Sequence, residues 1–557
     1  MELPAFIVSA AVVARSSEFF PIPALRRIVI LAGLVLVAIG QAAEVRRPNV
    51  LFIAVDDLRP ALGTYGVKAV QSPNLDRLAA TGIRFDRAYC QYAICGPSRA
   101  SLLTGLRPDT LKIEHIATFY RDTVPDVVTL PQHFKQHGYE SAYVGKVFHP
   151  GQTDDVKSWS RKLALPPIPA DDHGRTESNY KLSENIARVQ QRRSDVVTKY
   201  GATGNLQGMT SGPAWEAADL PDNRYLDGRV AEGAIAGLRE LAGNPFFLGV
   251  GFHKPHLPFV APKKYFDLYD PAKLPLTDAP DTPVDSPAIG RHSSFELRTR
   301  TGVPQQGPID EATSRELMRA YYACVSFVDA QIGRVIAELD ALGLRENTIV
   351  VVWGDHGWHL GEYGIWGKAT NHEVATRVPL IVCAPQATVR GQGTRALVEF
   401  VDVYPSLCEL AGLPLPPHLV GKSFVPLLTH PDLPWKDAAF SQFPSPALRE
   451  WAARPLSPAM RQTFFGPLMQ AVETKLRKEH GPRYDPELFE QNLMGYSMRT
   501  DRYRFTAWVD RRKPAGEPLA IELYDHDRDP RESKNIAALP ENRELVASLR
   551  AQWLAAR

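Results

Sequence analysis

The chain has 557 residues, Lys+Arg 64 against Asp+Glu 62 for a formal net charge of +2, 44% hydrophobic and 23% charged residues. That balance excludes whole-chain disorder and a multi-span membrane protein, and it makes nucleic acid a poor partner. Five cysteines without a C-x-x-C pair exclude a zinc ribbon, a thioredoxin-type site and a dense disulfide framework.

Near the amino end, residues 28–40 (IVILAGLVLVAIG) follow Arg26 and Arg27 and precede Gln41, Ala42 and Ala43. The run is shorter than the ~20 residues of a bilayer span. With Gly40 and Ala42 at a cleavage point, it reads as a signal peptide over 1–43 that directs export, an uncleaved anchor being the alternative.

From Arg47 onward, short apolar runs end in polar residues with helical patterns between them, the rhythm of an α/β sheet. Residues 49–55 (NVLFIAV) end at Asp56-Asp57, and residues 140–144 lead into Gly145-Lys146-Val147-Phe148-His149. Residues 246–251 run into His253-Lys254-Pro255-His256, and 348–353 into Gly354-Asp355-His356-Gly357. Ligand sites in open α/β sheets form beyond the carboxyl ends of strands, so four such clusters point to one shared site. Leu317, Tyr321, Cys324, Val325, Val328, Ile332, Val335, Ile336 and Leu339 recur at helical spacing and predict a helix against the sheet, with Cys324 a core thiol. Cys383, in the strand-like 378–383, reads the same way.

Two regions break the rhythm. Residues 150–227 are polar and rich in Arg, Gly and Pro, which reads as long loops covering a site and as a candidate for substrate recognition. The Pro-rich stretch 413–435 marks a boundary, giving a catalytic domain at 44–432 and a smaller subdomain at 433–557. Strands at 496–500, 503–509 and 519–524 would form a small antiparallel sheet there, closed by a helix over 540–557.

The most informative segment is Cys95-Gly96-Pro97-Ser98-Arg99, followed by ASLLTG. Pro97 suits the first turn of a helix and Gly105 its end, which places Cys95 at a helix amino terminus, where partial positive charge favours anions. C-x-P alone describes a half-buried cysteine before a short helix. Arg99, the helical LLTG tail and Asp56-Asp57 at an upstream strand end favour a functional reading. Asp56, Asp57 and Asp355 are hard oxygen donors suited to Ca²⁺ or Mg²⁺.

Cys95, Pro97, Ser98 and Arg99 match the C-x-P-S-R signature, and the chain here resembles the type I, formylglycine-dependent sulfatases. DDLRPALGTYG, SPNLDRLA, VGKVFHPG, VGFHKPHLPF, DHGWHLGEYGIWGK and MGYSMRTDRYRFTAWV extend the similarity from about Arg47 to Ile536. Within the family these runs are most similar to members acting on uronate 2-sulfates. The resemblance implies an alkaline-phosphatase-like α/β fold: a central mixed sheet flanked by helices, with a smaller carboxyl-terminal α+β subdomain. It also implies that a maturation enzyme oxidises Cys95 to formylglycine, whose hydrate offers one hydroxyl to attack sulfur and a second whose deprotonation expels sulfate. Asp56, Asp57, Cys95, Asp355 and His356 would hold the Ca²⁺ or Mg²⁺, His356 standing where many relatives carry Asn.

By the same resemblance Arg99 orients the nucleophile and metal ligands, and Lys146 and Lys368 hold sulfate oxygens. His149 would assist the nucleophile and His253 protonate the leaving alcohol. Lys254, His256, His359 and His372 keep a structural reading, and Trp358 either packs or stacks on a sugar ring. The implied activity is sulfuric ester hydrolysis on a sulfated carbohydrate, with no nucleic acid and no stable membrane span after signal cleavage. A phosphatase or phosphodiesterase of the same fold would carry Ser or Thr as nucleophile and more His and Asp for two metals. A sulfated-glycan-binding protein without catalysis would not need this full set of charged groups.

Overall fold

The computed structural model describes residues 47–556 except 152–154, 169–179, 202–208, 446–448, 451–453, 456 and 515. The expected signal peptide lies outside the described residues. The central strands are β1 (Asn49–Val55), β2 (Ile83–Tyr89), β3 (Glu140–Gly145), β4 (Arg161–Lys162), β5 (Phe246–Phe252), β6 (Thr348–Gly354), β7 (Arg377–Val378), β8 (Leu380–Cys383) and β9 (Gln392–Glu399). Their order across the sheet is β2–β8–β6–β1–β5–β3–β4, with β7 and β9 also pairing with β2. β1 is parallel to β5 and β6, while β8 runs antiparallel to β6 and β2, so the sheet is mixed. Pro379, which lacks an N–H, separates β7 from β8 within the expected single strand.

Buried on both faces, β1 is apolar after Asn49, and its apolar residues divide by the two-residue strand period between two cores. Leu51, Ile53 and Val55 join the core that includes helices α3 (Leu226–Leu241) and α4 (Glu311–Ala341). Val50, Phe52 and Ala54 join the opposite core with α1 (Cys95–Thr104) and Trp353. The stripe expected around Cys324 lies on α4, whose amino end is capped by the Asp310 carboxylate accepting the Thr313 N–H at 2.8 Å. All five cysteines are unpaired and buried.

The described part of 150–227 is more than a run of loops, because it contains the 18-residue helix α2 (Ser183–Tyr200). Its apolar face is narrow, Val189 and Val196 being buried, which is why the polar composition concealed it. A short strand, Trp215–Ala218, pairs in parallel with Phe259–Pro262, just after the HKPH segment.

The carboxyl-terminal sheet is antiparallel, as expected, with strands β11 (Leu493–Thr500), β12 (Tyr503–Asp510) and β13 (Ala520–Asp525) and the helix α5 (Arg543–Ala555). A fourth strand, β10 (Ala438–Pro444), is added at its edge beside β11. Phe443, Met494 and Met498 share a cluster with Tyr92 and Ile94, so this sheet supports the segment that leads into Cys95.

Register decides where the polar clusters fall. Val55 stands level with Phe252 on one side and Gly354 on the other, and Gly145 is level with Gly251. The residues that follow all emerge at one edge. The ends of β3 and β5 cross so closely that a Cβ on Gly251 would lie 2.0 Å from the Lys146 carbonyl carbon. Gly251→Ala should therefore cost about 2–3 kcal/mol in urea denaturation and displace Lys146. Gly243→Ala, where a Cβ meets nothing within 4 Å, should leave the midpoint unchanged. Equal midpoints for the two variants would refute the crossing as a packing constraint.

Candidate active site

Arg99, on the first turns of α1, is fully buried and faces the strand ends. Its Nε donates to Asp355 Oδ2 at 2.8 Å and its Nη2 to Asp56 Oδ1 at 3.2 Å. Nη1 donates to the carbonyls of Lys146 and, at 2.9 Å, Val147, while the guanidinium lies over the Trp353 ring. One planar fork thus ties the ends of β1, β3 and β6 together.

Asp57 has φ 58°, in the left-handed region that costs a residue with a Cβ of order 1 kcal/mol or more. The Tyr321 hydroxyl of α4 holds this turn, donating to the Asp57 carbonyl at 2.7 Å and accepting the Arg59 N–H at 3.0 Å. The Asp57 N–H donates to Asp355 Oδ1 at 2.9 Å. The backbone turns so that both aspartates point into the same space, and the pair is fully buried rather than a solvated turn.

Three cations answer the three carboxylates. Lys146 Nζ lies 2.5 Å from Asp56 Oδ2, and Lys368 Nζ donates to both Asp57 oxygens at 2.9 and 3.0 Å. Burial alone would raise the Asp56 carboxyl, but Lys146, His256 and Arg99 outweigh it and hold the group well below the usual carboxylate range. Burial, reinforced by Asp56, Glu296 and Asp355, keeps Asp57 well above that range despite Lys368.

Cys95 sits at the focus and is 3% exposed. Its Sγ is 3.3 Å from His356 Nε2, 3.7 Å from Lys368 Nζ and 3.9 Å from Asp57 Oδ1. Burial, then the Asp56 charge, pushes its thiol well above the ordinary range. His356 faces the Gly357 carbonyl through Nδ1 at 3.0 Å, which places the proton there and leaves Nε2 as a lone pair toward Cys95, Asp57 and Asp355.

Ligand atoms of Asp56, Cys95, Asp355 and His356, and likewise of Asp56, Asp57, Cys95 and His256, lie within 4.8 Å of one another. Carboxylate oxygens supply two of the four ligand atoms in each set, and they fit a hard divalent cation. Imidazole is the softer partner at its margin.

The structure thus brings together Asp56, Asp57, Cys95, Arg99, Lys146, Asp355, His356 and Lys368. His149 borders them, its pKa pushed down to about 3 by burial and then by the Lys146 charge. His253 stands further out, 29% exposed on its side chain, with Nδ1 3.7 Å from Asp227 Oδ1. Asp227 also accepts the N–H groups of His253 and Lys254, at 2.8 and 2.7 Å.

His256 departs from its structural reading: Nε2 is 3.3 Å from Glu296 and 3.9 Å from Asp57, so it belongs to the site. Position three residues after His253 in the prolyl loop was its only signal. Glu296 lies in a polar stretch with no motif, and its ion pair with Lys368 at 3.4 Å arises only through folding. Lys254 is structural, donating to the carbonyls of His256 and Pro258. His359 and His372 are structural too, bonded to Thr370 and Glu532. Trp358 is fully buried beneath the Lys368 ammonium, which rules out sugar stacking and leaves packing.

The loop carrying Lys368 is braced by the carboxyl-terminal sheet. Ala369 is left-handed at φ 68°, and its N–H donates to the Ala93 carbonyl at 3.1 Å. Asn371 donates to the Phe443 carbonyl at 3.2 Å. Beyond it, the buried Glu532 accepts from His372 Nδ1 and Glu373 N–H through one oxygen, and from Arg504 and His526 through the other. Arg504 also pairs with Glu373, which Arg504 and Arg499 hold down at about 2 against the effect of burial.

Residues 48–413 match the sulfatase family. The chain is 34% identical to iduronate 2-sulfatase of Mus musculus, over 90% of this chain and 93% of that protein. It is 33% identical to iduronate 2-sulfatase of Homo sapiens, over 93% and 97%. Among solved structures, phosphonate monoester hydrolase from Silicibacter pomeroyi superposes with a TM-score of 0.66 at 24% identity, over 92% of this chain and 95% of that one, a likeness of fold.

Glu532→Gln should lower unfolding free energy by about 3 kcal/mol, because it removes the buried charge that pairs with Arg504. Glu373 has a depressed folded pKa, so its contribution is complete above the unfolded value of 4.5 and is lost as pH falls toward 2. The urea midpoint should therefore drop below pH 4.5, and less steeply in Glu373→Gln. Parallel pH profiles for that variant and the wild type would contradict the brace.

Proposed function

The chain belongs to the sulfatase family and its reaction is sulfate ester hydrolysis; from that premise we propose an exported enzyme that uses formylglycine at position 95 and Ca²⁺, or Mg²⁺ in its place, to desulfate a sulfated glycan. A uronate 2-sulfate is the leading substrate, because iduronate 2-sulfatases are similar over nearly the whole chain. Export follows from the leader expected at 1–43, and a formylglycine-generating enzyme is the required maturation partner.

The observation that carries this reading is Cys95 itself. A buried thiol whose deprotonation is disfavoured is a poor nucleophile, yet it occupies the focus of three carboxylates and three cations. Oxidation to an aldehyde hydrate resolves the conflict, since such a group supplies the attacking hydroxyl beside a cation that polarises sulfate oxygens. Asp56, Asp57, Asp355 and His356 would hold that cation, and Arg99 fixes the two aspartates at 56 and 355.

Lys146 and Lys368 balance charge on the transferring sulfuryl group. His149 borders residue 95 as a neutral ring, and because burial and Lys146 disfavour its charged form, a proton it takes there would be passed on rather than kept. His253, half-buried at the rim, is suited to hand one to the departing alcohol. Within 150–227, the strand Trp215–Ala218 pairs with Phe259–Pro262 just after the HKPH segment, which supports a part for this region in selecting the sugar. A phosphatase reading is disfavoured by cysteine in the nucleophile position, and a purely glycan-binding reading by the complete charged set.

The protein should cleave 4-nitrophenyl sulfate or a uronate 2-sulfate disaccharide in preference to 4-nitrophenyl phosphate. Cys95→Ala and Asp355→Asn should each lower kcat at least ~10³-fold. Asn is preferred because it can keep an acceptor for the buried Arg99 Nε–H, which Ala would leave without its partner. Chelation should abolish turnover and Ca²⁺ or Mg²⁺ restore it. Near-normal rates in either variant would overturn the assignment.

A further inference from the structure

We propose that Glu296 is a specificity-determining residue that disfavours doubly charged esters and so tunes the site to the single negative charge of a sulfate monoester. The inference rests on the sulfatase reading and extends it to substrate charge. Glu296 is 16% exposed on its side chain and lies one ammonium group away from the nucleophile position. Its Oε2 is 3.4 Å from Lys368 Nζ, and Lys368 Nζ is 3.7 Å from Cys95 Sγ. Oε1 is 3.3 Å from His256 Nε2, so the carboxylate divides itself between two groups that face the reacting position.

The carboxylate is held in place by its surroundings. It sits on the short helix Phe295–Arg298, preceded by Ser294 at φ 54°. Ser294 Oγ accepts the Trp366 N–H at 2.9 Å, and the Phe295 ring packs 4.5 Å from Phe465. The Arg298 guanidinium donates to the carbonyls of Ser293, Pro304 and Gly307, which clamps the following turn.

Lys368 already faces both oxygens of Asp57, so Glu296 adds a second carboxylate to the same ammonium. The extra negative charge therefore acts on what enters beside it. A fixed charge repels a dianion twice as strongly as a monoanion at the same distance, and burial strengthens the difference. A sulfate monoester carries one negative charge, whereas an aryl phosphate carries nearly two above its second pKa of ~6.

The test compares wild type, Glu296→Gln and Glu296→Asp at about pH 8, with kcat/KM for 4-nitrophenyl sulfate and 4-nitrophenyl phosphate and calorimetric binding of inorganic phosphate. Glu296→Gln should raise the phosphate-to-sulfate ratio of kcat/KM about ten-fold and tighten phosphate binding by a similar factor. Glu296→Asp, which keeps the charge, should leave the ratio near the wild-type value. A merely structural role would lower both activities together, and an unchanged ratio or unchanged phosphate affinity in Glu296→Gln overturns the proposal. Failure of the sulfatase reading has a different signature, a wild-type enzyme that prefers the phosphate ester, and the calorimetric arm still reports on Glu296.

Discussion

The Arg99 guanidinium, buried between Asp56 and Asp355, joins three strand ends, two of which carry carboxylates that would otherwise repel each other. Carboxylates taken out of water stay charged only beside compensating charge, and a planar fork with five donors can serve two acids and two carbonyls at once. Once Arg99 is fixed, the register of β1, β5 and β6 determines where Asp56, Asp57 and Asp355 emerge. α1 then delivers Cys95 to the same space, since nucleophile and fork share one short, fully buried helix. Geometry of this kind favours function over stability, because the same volume filled with apolar side chains would fold at least as well.

The second layer of support comes from elements distant in sequence. The left-handed Asp57 turn leans on Tyr321 of α4, and the left-handed Ala369 turn leans on Ala93 and, through Asn371 and Glu532, on the carboxyl-terminal sheet. These turns sit where the reacting groups must be held, which is where backbone strain is stored. The carboxyl-terminal sheet thus positions Lys368 as well as closing a core, and its buried Arg504–Glu373–Glu532 network transmits that restraint.

Much of this was legible in the sequence, because strand ends are announced by apolar runs that stop at charged residues and because C-x-P-S-R is local. Asp56, Asp57, Lys146, Asp355 and His356 lie at or just beyond such stops, Cys95 and Arg99 lie within the local motif, and Lys368 was reached only through the family resemblance. What escaped detection depends on long-range partners. Glu296 meets Lys368 and His256 across 72 and 40 residues of chain respectively, and no local pattern marks it. Glu532 is one acid among many in a charged tail until Arg504 and the Lys368 loop close on it. The helix over 183–200 was hidden for another reason: only a narrow strip of it is apolar, so composition spoke for loops.

The most direct test of the account is a high-resolution crystal structure of protein shown to be turning over sulfate ester. It should reveal a divalent cation bound by Asp56, Asp57 and Asp355 at about 2.3–2.6 Å for Ca²⁺, or ~2.1 Å for Mg²⁺, with an oxygen-bearing side chain and no sulfur at position 95. An intact thiol at 95 in competent protein, with the lysines and Arg99 alone neutralising the three aspartates, would contradict it.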